Sequence, residues 1–327
     1  MGSADREKTE ITIVIPNYNG IKYIDDCLKS VFKQTVPADV VVVDNGSTDG
    51  SLEVIKEKYP DVRLVELGEN TGFATAVNVG IKEAKTEYIF LLNNDTVIQE
   101  DVSEKLLKAI KRYPKAFSVS SKMLALKGEH LIDDTGDYYC ALGWAFTLGK
   151  DSASDKHSQK RQVTSACAGA AIYKKSILEE IGAFDDTHFC YLEDVDLGIR
   201  ARIYGYRNYY EPSAIVYHAG SGTSGSRHNA FKVQLTSANN LYLIYKNMPA
   251  LMFLINLPLI ILGICIKQVY FMKKGLGRAH ALGLLDGFKK IASNSKKHVG
   301  VSSHNITNYC LLQIELWINC VRRITGL

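Results

Sequence analysis

Residues 11–20 read ITIVIPNYNG and residues 40–50 read VVVVDNGSTDG, and these two stretches decide the fold. Each is a short apolar, β-branched run that breaks into a polar turn. The first stops at Pro16 and opens into Asn17-Tyr18-Asn19-Gly20; the second runs into Asp44-Asn45-Gly46-Ser47. Continuous apolar runs of this length predict strands buried on both faces. Between them, residues 23–34 carry Tyr23, Ile24, Cys27, Leu28, Val31 and Phe32 at the spacing of a helix packed on a sheet. The alternation continues with a helix over 52–58, a strand over 62–66, a loop over 68–73, a helix over 74–84 and a strand over 88–92. This order predicts an α/β fold with a doubly wound, mainly parallel sheet flanked by helices. Ligands of such sheets bind beyond the carboxyl ends of the strands. The polar clusters at 16–19, 44–47 and 93–96 all fall on that edge.

From about residue 114 to residue 217 the pattern is less regular. Residues 127–137 and 149–161 read as loops, 138–148 as strand material, 167–173 as a buried strand and 175–181 as a helix. A loop over 185–191 feeds a helix over 193–204, stopped by Gly205. The last strand, 208–217, leads to His218 and the Gly/Ser-rich stretch ending at Gly225. The organisation expected is a disordered lead-in (1–10), a nucleotide-binding half (11–113), a catalytic and acceptor-binding half (114–247) and a helical region (248–327).

The chain has 327 residues, with 46% hydrophobic and 23% charged, which excludes wholesale disorder and a polytopic membrane protein. Its net charge is +4, unevenly spread: after residue 250 there are ten Lys/Arg and two Asp/Glu. Such a tail suits an anionic partner, nucleic acid or a membrane surface. The adjoining stretch LMFLINLPLIILGICI at 251–266 favours the membrane, and no nucleic acid is expected. That stretch is borderline for a span and carries Asn256 and Pro258, so spanning, lying in the interface or packing in a homo-oligomer all stay open. Seven scattered cysteines, an odd number without a close pair, fit a reducing cytoplasm. The polar start lacks the apolar core of a secretory signal.

Each candidate site residue has a plain alternative. Asp44 either caps its turn or accepts hydrogen bonds from a nucleobase or ribose. Asp95 in Asn93-Asn94-Asp95 either caps a helix or, with diphosphate oxygens, holds a hard divalent cation. Glu193 and Asp194 either complement a positive helix end or place a general base in a cleft. His218 is either structural or a metal ligand through neutral imidazole. No Gly-x-Gly-x-x-Gly follows the first strand, which sets a dehydrogenase aside.

Together with these stretches, ENTGFATAVNVGI, IFLLNNDTVI, CAGAAIYKKSILEEIGAFDD, YLEDVDLGIRARIYGY and SAIVYHAGSGTSG make the chain resemble the inverting glycosyltransferase family 2, of the GT-A fold, and its bacterial rhamnosyltransferase-like branch. The resemblance implies that Asp194 is the catalytic base and that Asp95, with His218 near the metal or diphosphate, holds Mg2+ or Mn2+. It implies a nucleotide-sugar site of Pro16, Asn17, Tyr18, Asp44, Asn45, Gly46, Asn70, Gly72, Asn78, Asn93 and Asn94, with Glu193 and Trp144 on the acceptor. Asn93-Asn94-Asp95 stands where many relatives carry two aspartates. The Gln-x-x-Arg-Trp motif of processive members is absent, which favours a single addition. The activity implied is transfer of a sugar, with dTDP-L-rhamnose the best guess as donor, to a glycan or lipid-linked acceptor at the cytoplasmic membrane surface. A UDP-sugar donor and a non-catalytic scaffold are the alternatives.

Overall fold

The computed structural model describes residues 9–220, 228–293 and 299–326. Most of the expected lead-in, and the stretch from Ser221 to Gly225, lie outside the described residues. The strands are β1 (Ile11–Asn17), β2 (Ala38–Asp44), β3 (Arg63–Glu66), β4 (Tyr88–Leu92), β5 (Thr96–Ile98), β6 (Ala116–Ala125), β7 (Ile132–Asp134), β8 (Asp137–Cys140), β9 (Trp144–Thr147), β10 (Arg161–Val163), β11 (Ala170–Lys174) and β12 (Arg207–His218). The helices are α1 (Ile24–Val31), α2 (Ser51–Lys58), α3 (Phe73–Glu83), α4 (Val102–Arg112), α5 (Lys175–Ile181), α6 (Glu193–Ile203), α7 (Ala230–Asn247), α8 (Ala250–Lys273), α9 (Gly277–Ser293) and α10 (Ile306–Thr325).

One sheet runs in the order β10-β12-β6-β11-β4-β1-β2-β3. β3, β2, β1 and β4 are parallel; β11 opposes β4 and β6, so β6 and β12 return to the direction of β4. The mainly parallel sheet expected from the sequence is present, and its two halves share it. Successive residues of a strand point to opposite faces. Accordingly Ile13 and Ile15 join the cluster under α1, α2 and α4, while Val14 joins the one under α3, α5 and α6. These are the two helical layers of the doubly wound fold.

Three local readings change. Strand β1 does not stop at Pro16 but continues through Asn17. Its pairing with β4 ends at Val14 while pairing with β2 goes on, and a proline is tolerated where one side of a strand is open. The second half is more regular than its sequence suggested: β6 spans ten residues near the middle of the sheet. Its Ser118, Ser121 and Lys122 mask the apolar pattern, and all three are buried. Ser118 reaches Asn208, Ser121 the Ala170 carbonyl, and Lys122 the carbonyls of Ser154 and Lys156. The strand material at 138–148 is a hairpin, β8 and β9, turned through Gly143 with φ +70°.

The C-terminal helices are packed, not trailing. Met252 and Ile260 of α8 and Leu312 and Leu316 of α10 share a core with Ile199 of α6 and Leu243 of α7. Arg202 of α6 pairs with Glu315 of α10, and Asn319 donates to the Tyr139 carbonyl at 2.8 Å.

Candidate active site

The carboxyl ends of β1, β2 and β4 are tied by one side chain. Asn17 Nδ2 lies 2.9 Å from Asp44 Oδ1, 3.1 Å from Ser47 Oγ and 2.9 Å from Ser51 Oγ, while its Oδ1 accepts from Asn94 Nδ2 at 2.8 Å. Asp44 also accepts from the Ser47 N–H at 3.0 Å and is 2% exposed. Its carboxylate therefore caps its own turn, one layer behind the cavity wall. A second knot joins the next loop. Asn45 accepts from the N–H and hydroxyl of Thr71 at 2.9 Å each and donates to Asn70 Oδ1 at 3.0 Å. Gly46 has φ +78° and backs onto the Glu69 backbone, where a Cβ would fall 2.7 Å away.

These knots form one wall of a cavity of about 740 Å³. Pro16, Asn17, Tyr18, Asn45, Asn70, Gly72, Asn93, Asn94, Asp95, Glu193, Asp194 and His218 line it. Asp44, Gly46, Asn78 and Trp144 are not in its lining. Asn78 holds the loop before α6 by exchanging two hydrogen bonds with the Phe184 backbone. Trp144, expected on the acceptor, turns into the helical layer, where its indole N–H donates to the Gly263 carbonyl at 3.2 Å.

Next to the first knot, β12 pairs with β5 in a register that sets His218 against Thr96, beside Asp95. His218 Nε2 lies 3.2 Å from Asp95 Oδ1, and Nδ1 lies 2.7 Å from Asp133 Oδ2. Burial disfavours charge on this ring, but the hydrogen bonds to Asp133 and Asp95 outweigh it and push His218 up to about 10. Without a metal it is an imidazolium bridging two carboxylates. Losing the Nε2 proton would leave a neutral ring, its tautomer fixed by Asp133, with a lone pair beside Asp95. One carboxylate and one imidazole on a cavity wall fit a divalent cation whose remaining ligands are diphosphate oxygens. Asp133, in the stretch over 127–137 that was expected to be a loop, is the outer partner that this arrangement requires.

Asp194 is half-buried at the start of α6. Burial raises its pKa, opposed by the N–H groups of Ala168 at 3.2 Å and Val195 at 2.8 Å. Beside it Glu193 is buried, with Oε2 lacking a hydrogen-bond partner, and burial and the Asp194 charge hold it well above the carboxylate range. Asp134, also on the cavity wall, is pushed up to about 7 by burial.

The segment leading into Asp194 is strained. Phe189, Tyr191 and Leu192 have φ of +62°, +69° and +67°, a conformation costly for residues with a Cβ. Gly72 lets this segment close in, since a Cβ there would sit 2.5 Å from the Phe189 ring. Asn239, in a helix that the sequence reading did not recognise, donates to the carbonyls of His188, Cys190 and Tyr191 at 2.9, 2.8 and 2.8 Å. The adjacent amides Asn239-Asn240, set among the apolar residues Val233, Leu235, Leu241 and Leu243, were the signal available.

A family model described as glycosyl transferase family 2 matches residues 12–182. N-acetylglucosaminyl-diphospho-decaprenol L-rhamnosyltransferase of Mycobacterium tuberculosis (strain ATCC 25618 / H37Rv) is 26% identical over 243 residues, 66% of this chain and 78% of that protein. The poly-beta-1,6-N-acetyl-D-glucosamine synthase of Staphylococcus epidermidis is 26% identical over 212 residues, covering 63% of this chain and 49% of that one. The chain thus spans about half the length of the synthase. Among solved structures, GalNAc-T7 with UDP, GalNAc and Mn2+ matches with a TM-score of 0.59 at 15% identity, over 74% of this chain and 48% of that one. The mannosyltransferase PcManGT from Pyrobaculum calidifontis, in complex with GDP-Man and Mn2+, matches with a TM-score of 0.52 at 18% identity, over 97% and 87%. These likenesses show the fold, which is the GT-A type.

Proposed function

The chain belongs to glycosyl transferase family 2, and from that premise we propose that it transfers L-rhamnose from dTDP-L-rhamnose, with inversion, to a hydroxyl of a glycan or polyprenyl-diphosphate-linked acceptor. The reaction serves bacterial cell-surface polysaccharide synthesis at the cytoplasmic face of the membrane. The observation that carries the reading is that Asp194 and the Asp95–His218 pair line one cavity beside the Asn17 and Asn45 knots. The rhamnosyltransferase relative, which acts on N-acetylglucosaminyl-diphospho-decaprenol, supports the choice of sugar and lipid.

In this mechanism Asp194 takes the proton of the acceptor hydroxyl as that oxygen attacks the anomeric carbon. The bond from that carbon to the diphosphate oxygen breaks on the opposite face, and the configuration inverts. Asn45 and Asn70 shape the nucleotide end, and Glu193 contacts the acceptor. Asp95 and His218 would hold a Mg2+ or Mn2+ ion whose charge offsets that of the departing nucleoside diphosphate. A UDP-sugar donor is the second reading, favoured by the N-acetylglucosamine synthase relative.

The test is incubation with dTDP-L-rhamnose, UDP-N-acetylglucosamine and GDP-mannose, each with Mn2+ and a diphosphate-linked N-acetylglucosamine lipid, followed by NMR of the product. Rhamnosyl transfer with an inverted anomeric centre is expected. Transfer from the UDP-sugar alone would select the second reading, and no transfer from any donor would overturn both.

A further inference from the structure

We infer that α8, α9 and α10 form one face that docks on an anionic lipid bilayer, with α8 lying in the plane of the membrane surface and not crossing it. The inference deepens the functional reading above and rests on it for the lipid-linked acceptor. Among the described residues α8 is the one helix long and apolar enough to cross a membrane; its 24 residues extend about 36 Å. Its neighbours, however, fix its course. Gly283 of α9 packs on Gln234 and Ser237 of α7, and Gly287 packs on Ala238 and Leu241, so α9 runs parallel to α7. α8 leaves the C-terminal end of α7 and returns to its start, where Tyr270 and Phe271 pack on the ring of His228. α9 packs against both α7 and α8. A spanning α8 would carry α7 and α9, which pack on one another beside it, into the hydrocarbon core together with polar side chains such as Asn240, Asp286 and Lys289.

One side of α8 is already committed to the protein. Met252, Asn256, Ile260 and Gly263 are buried. Asn256 exchanges hydrogen bonds with Gln313 at 2.7 and 3.0 Å and accepts one from Trp317, and a Cβ at Gly263 would lie 2.1 Å from the Leu142 carbonyl oxygen. The other side exposes Leu251, Leu254, Leu262 and Val269, and α10 adds Ile314, Ile318 and Val321. Exposed apolar patches this extended mark an interaction surface.

Charge selects the occupant. The acids after residue 250 are Asp286 and Glu315, and both are engaged within the protein, Asp286 with Lys289 and Gln234, Glu315 with Arg202 and Thr164. Lys273, Lys274 and Arg278, at the turn from α8 to α9, and Arg323, near the end of α10, stay exposed at the edges of this face. A cationic rim around an apolar centre matches an anionic headgroup layer; a second copy would bring like charges together. The packed helices also reach the cavity, because α7 presents the exposed Phe231 at its lining. An acceptor held by its lipid therefore meets the cavity from the membrane side.

The full chain is mixed with vesicles of phosphatidylglycerol and phosphatidylcholine and sedimented. Binding is expected, weakened by high salt and lowered about tenfold or more by the pair Leu262→Glu and Ile318→Glu, with circular dichroism and nucleotide binding unchanged. In a Cys265→Ser, Cys310→Ser background, Ala250→Cys and Lys274→Cys should both react with an impermeant maleimide from outside the vesicle. Protection of one end, no sedimentation with lipid, or a lipid-free dimer that shields Ile318 would overturn the inference. Transfer to a water-soluble acceptor is measured in parallel. Failure of lipid binding with transfer intact removes only the docking, while lipid binding without transfer from any donor removes only the functional reading.

Discussion

Lys290 Nζ lies 2.6 Å from Asn239 Oδ1, so an amine of α9 steadies the amide that clamps the segment entering the Glu193-Asp194 helix. The same amine reaches the Thr187 carbonyl at 2.7 Å. Three left-handed residues cost on the order of 1–3 kcal/mol each, and the Asn239 hydrogen bonds offset much of that. Asn239→Ala is expected to lower kcat by at least about tenfold and the melting temperature by several degrees, since buried carbonyls lose donors worth ~1 kcal/mol each. Lys290→Met should move kcat in the same direction by less, with the donor KM nearly unchanged. Steady-state kinetics on both variants, with circular dichroism to verify folding, decide the matter. An unchanged kcat in both would show that the clamp has no part in turnover.

Asp194→Asn is expected to cut turnover by about 10²–10⁴-fold while donor binding stays within about twofold. The carboxylate must be ionised to accept a proton, and burial raises its pKa above the ordinary value. The rate should therefore fall on acidification at a higher pH than an exposed aspartate would dictate. Calorimetric donor binding and a pH–rate profile test both halves, and turnover near that of the unmodified enzyme would remove Asp194 as the base.

The parallel half of the sheet was legible because its strands are continuous apolar runs and its polar turns fall at one edge. Asn17, Asn45 and Asp95 could be located from that edge alone, whereas Asp194 was located from the start of its helix and His218 from the end of the last strand. What the sequence hid has local causes. The buried strand β6 is disguised by Ser118, Ser121 and Lys122, whose polar atoms are satisfied only by distant residues. Asp133 sits 85 positions from its partner His218 and within a stretch without periodicity. The resemblance set Trp144 on the acceptor, and only the long-range contact with Gly263 shows it packed against α8.

Asp95→Asn is expected to weaken donor binding by about tenfold or more and to abolish stimulation by Mn2+, because it removes the carboxylate that lies against His218 Nε2 on the cavity wall. Asp133→Asn leaves that carboxylate in place but frees the His218 ring, and a loss of about 10–100-fold in metal affinity follows. Mn2+ titration monitored by electron paramagnetic resonance, with and without donor nucleotide, reads both effects. Equal Mn2+ affinity in all three proteins would exclude this wall as the metal site.

His188 gives a test of the scaffold beneath the site. It is fully buried against Tyr242, neither ring nitrogen has a hydrogen-bond partner, and burial pushes its pKa down to about 4. Nearby, Lys246 lies 2.7 Å from Asp185 and 2.9 Å from Asp196, so the cation that this acidic pocket needs comes from the protein itself. The sign follows from linkage: a folded pKa below the unfolded value means that the unfolded chain binds the proton first on acidification. The neutral ring's contribution is complete above pH ~6.5 and is lost as pH falls towards about 4, a change of about 3 kcal/mol. Melting curves across that window should show His188→Phe losing less stability than the unmodified chain, because phenylalanine cannot be protonated. Parallel curves for the two proteins would mean that His188 takes up its proton as readily in the fold as in the unfolded chain.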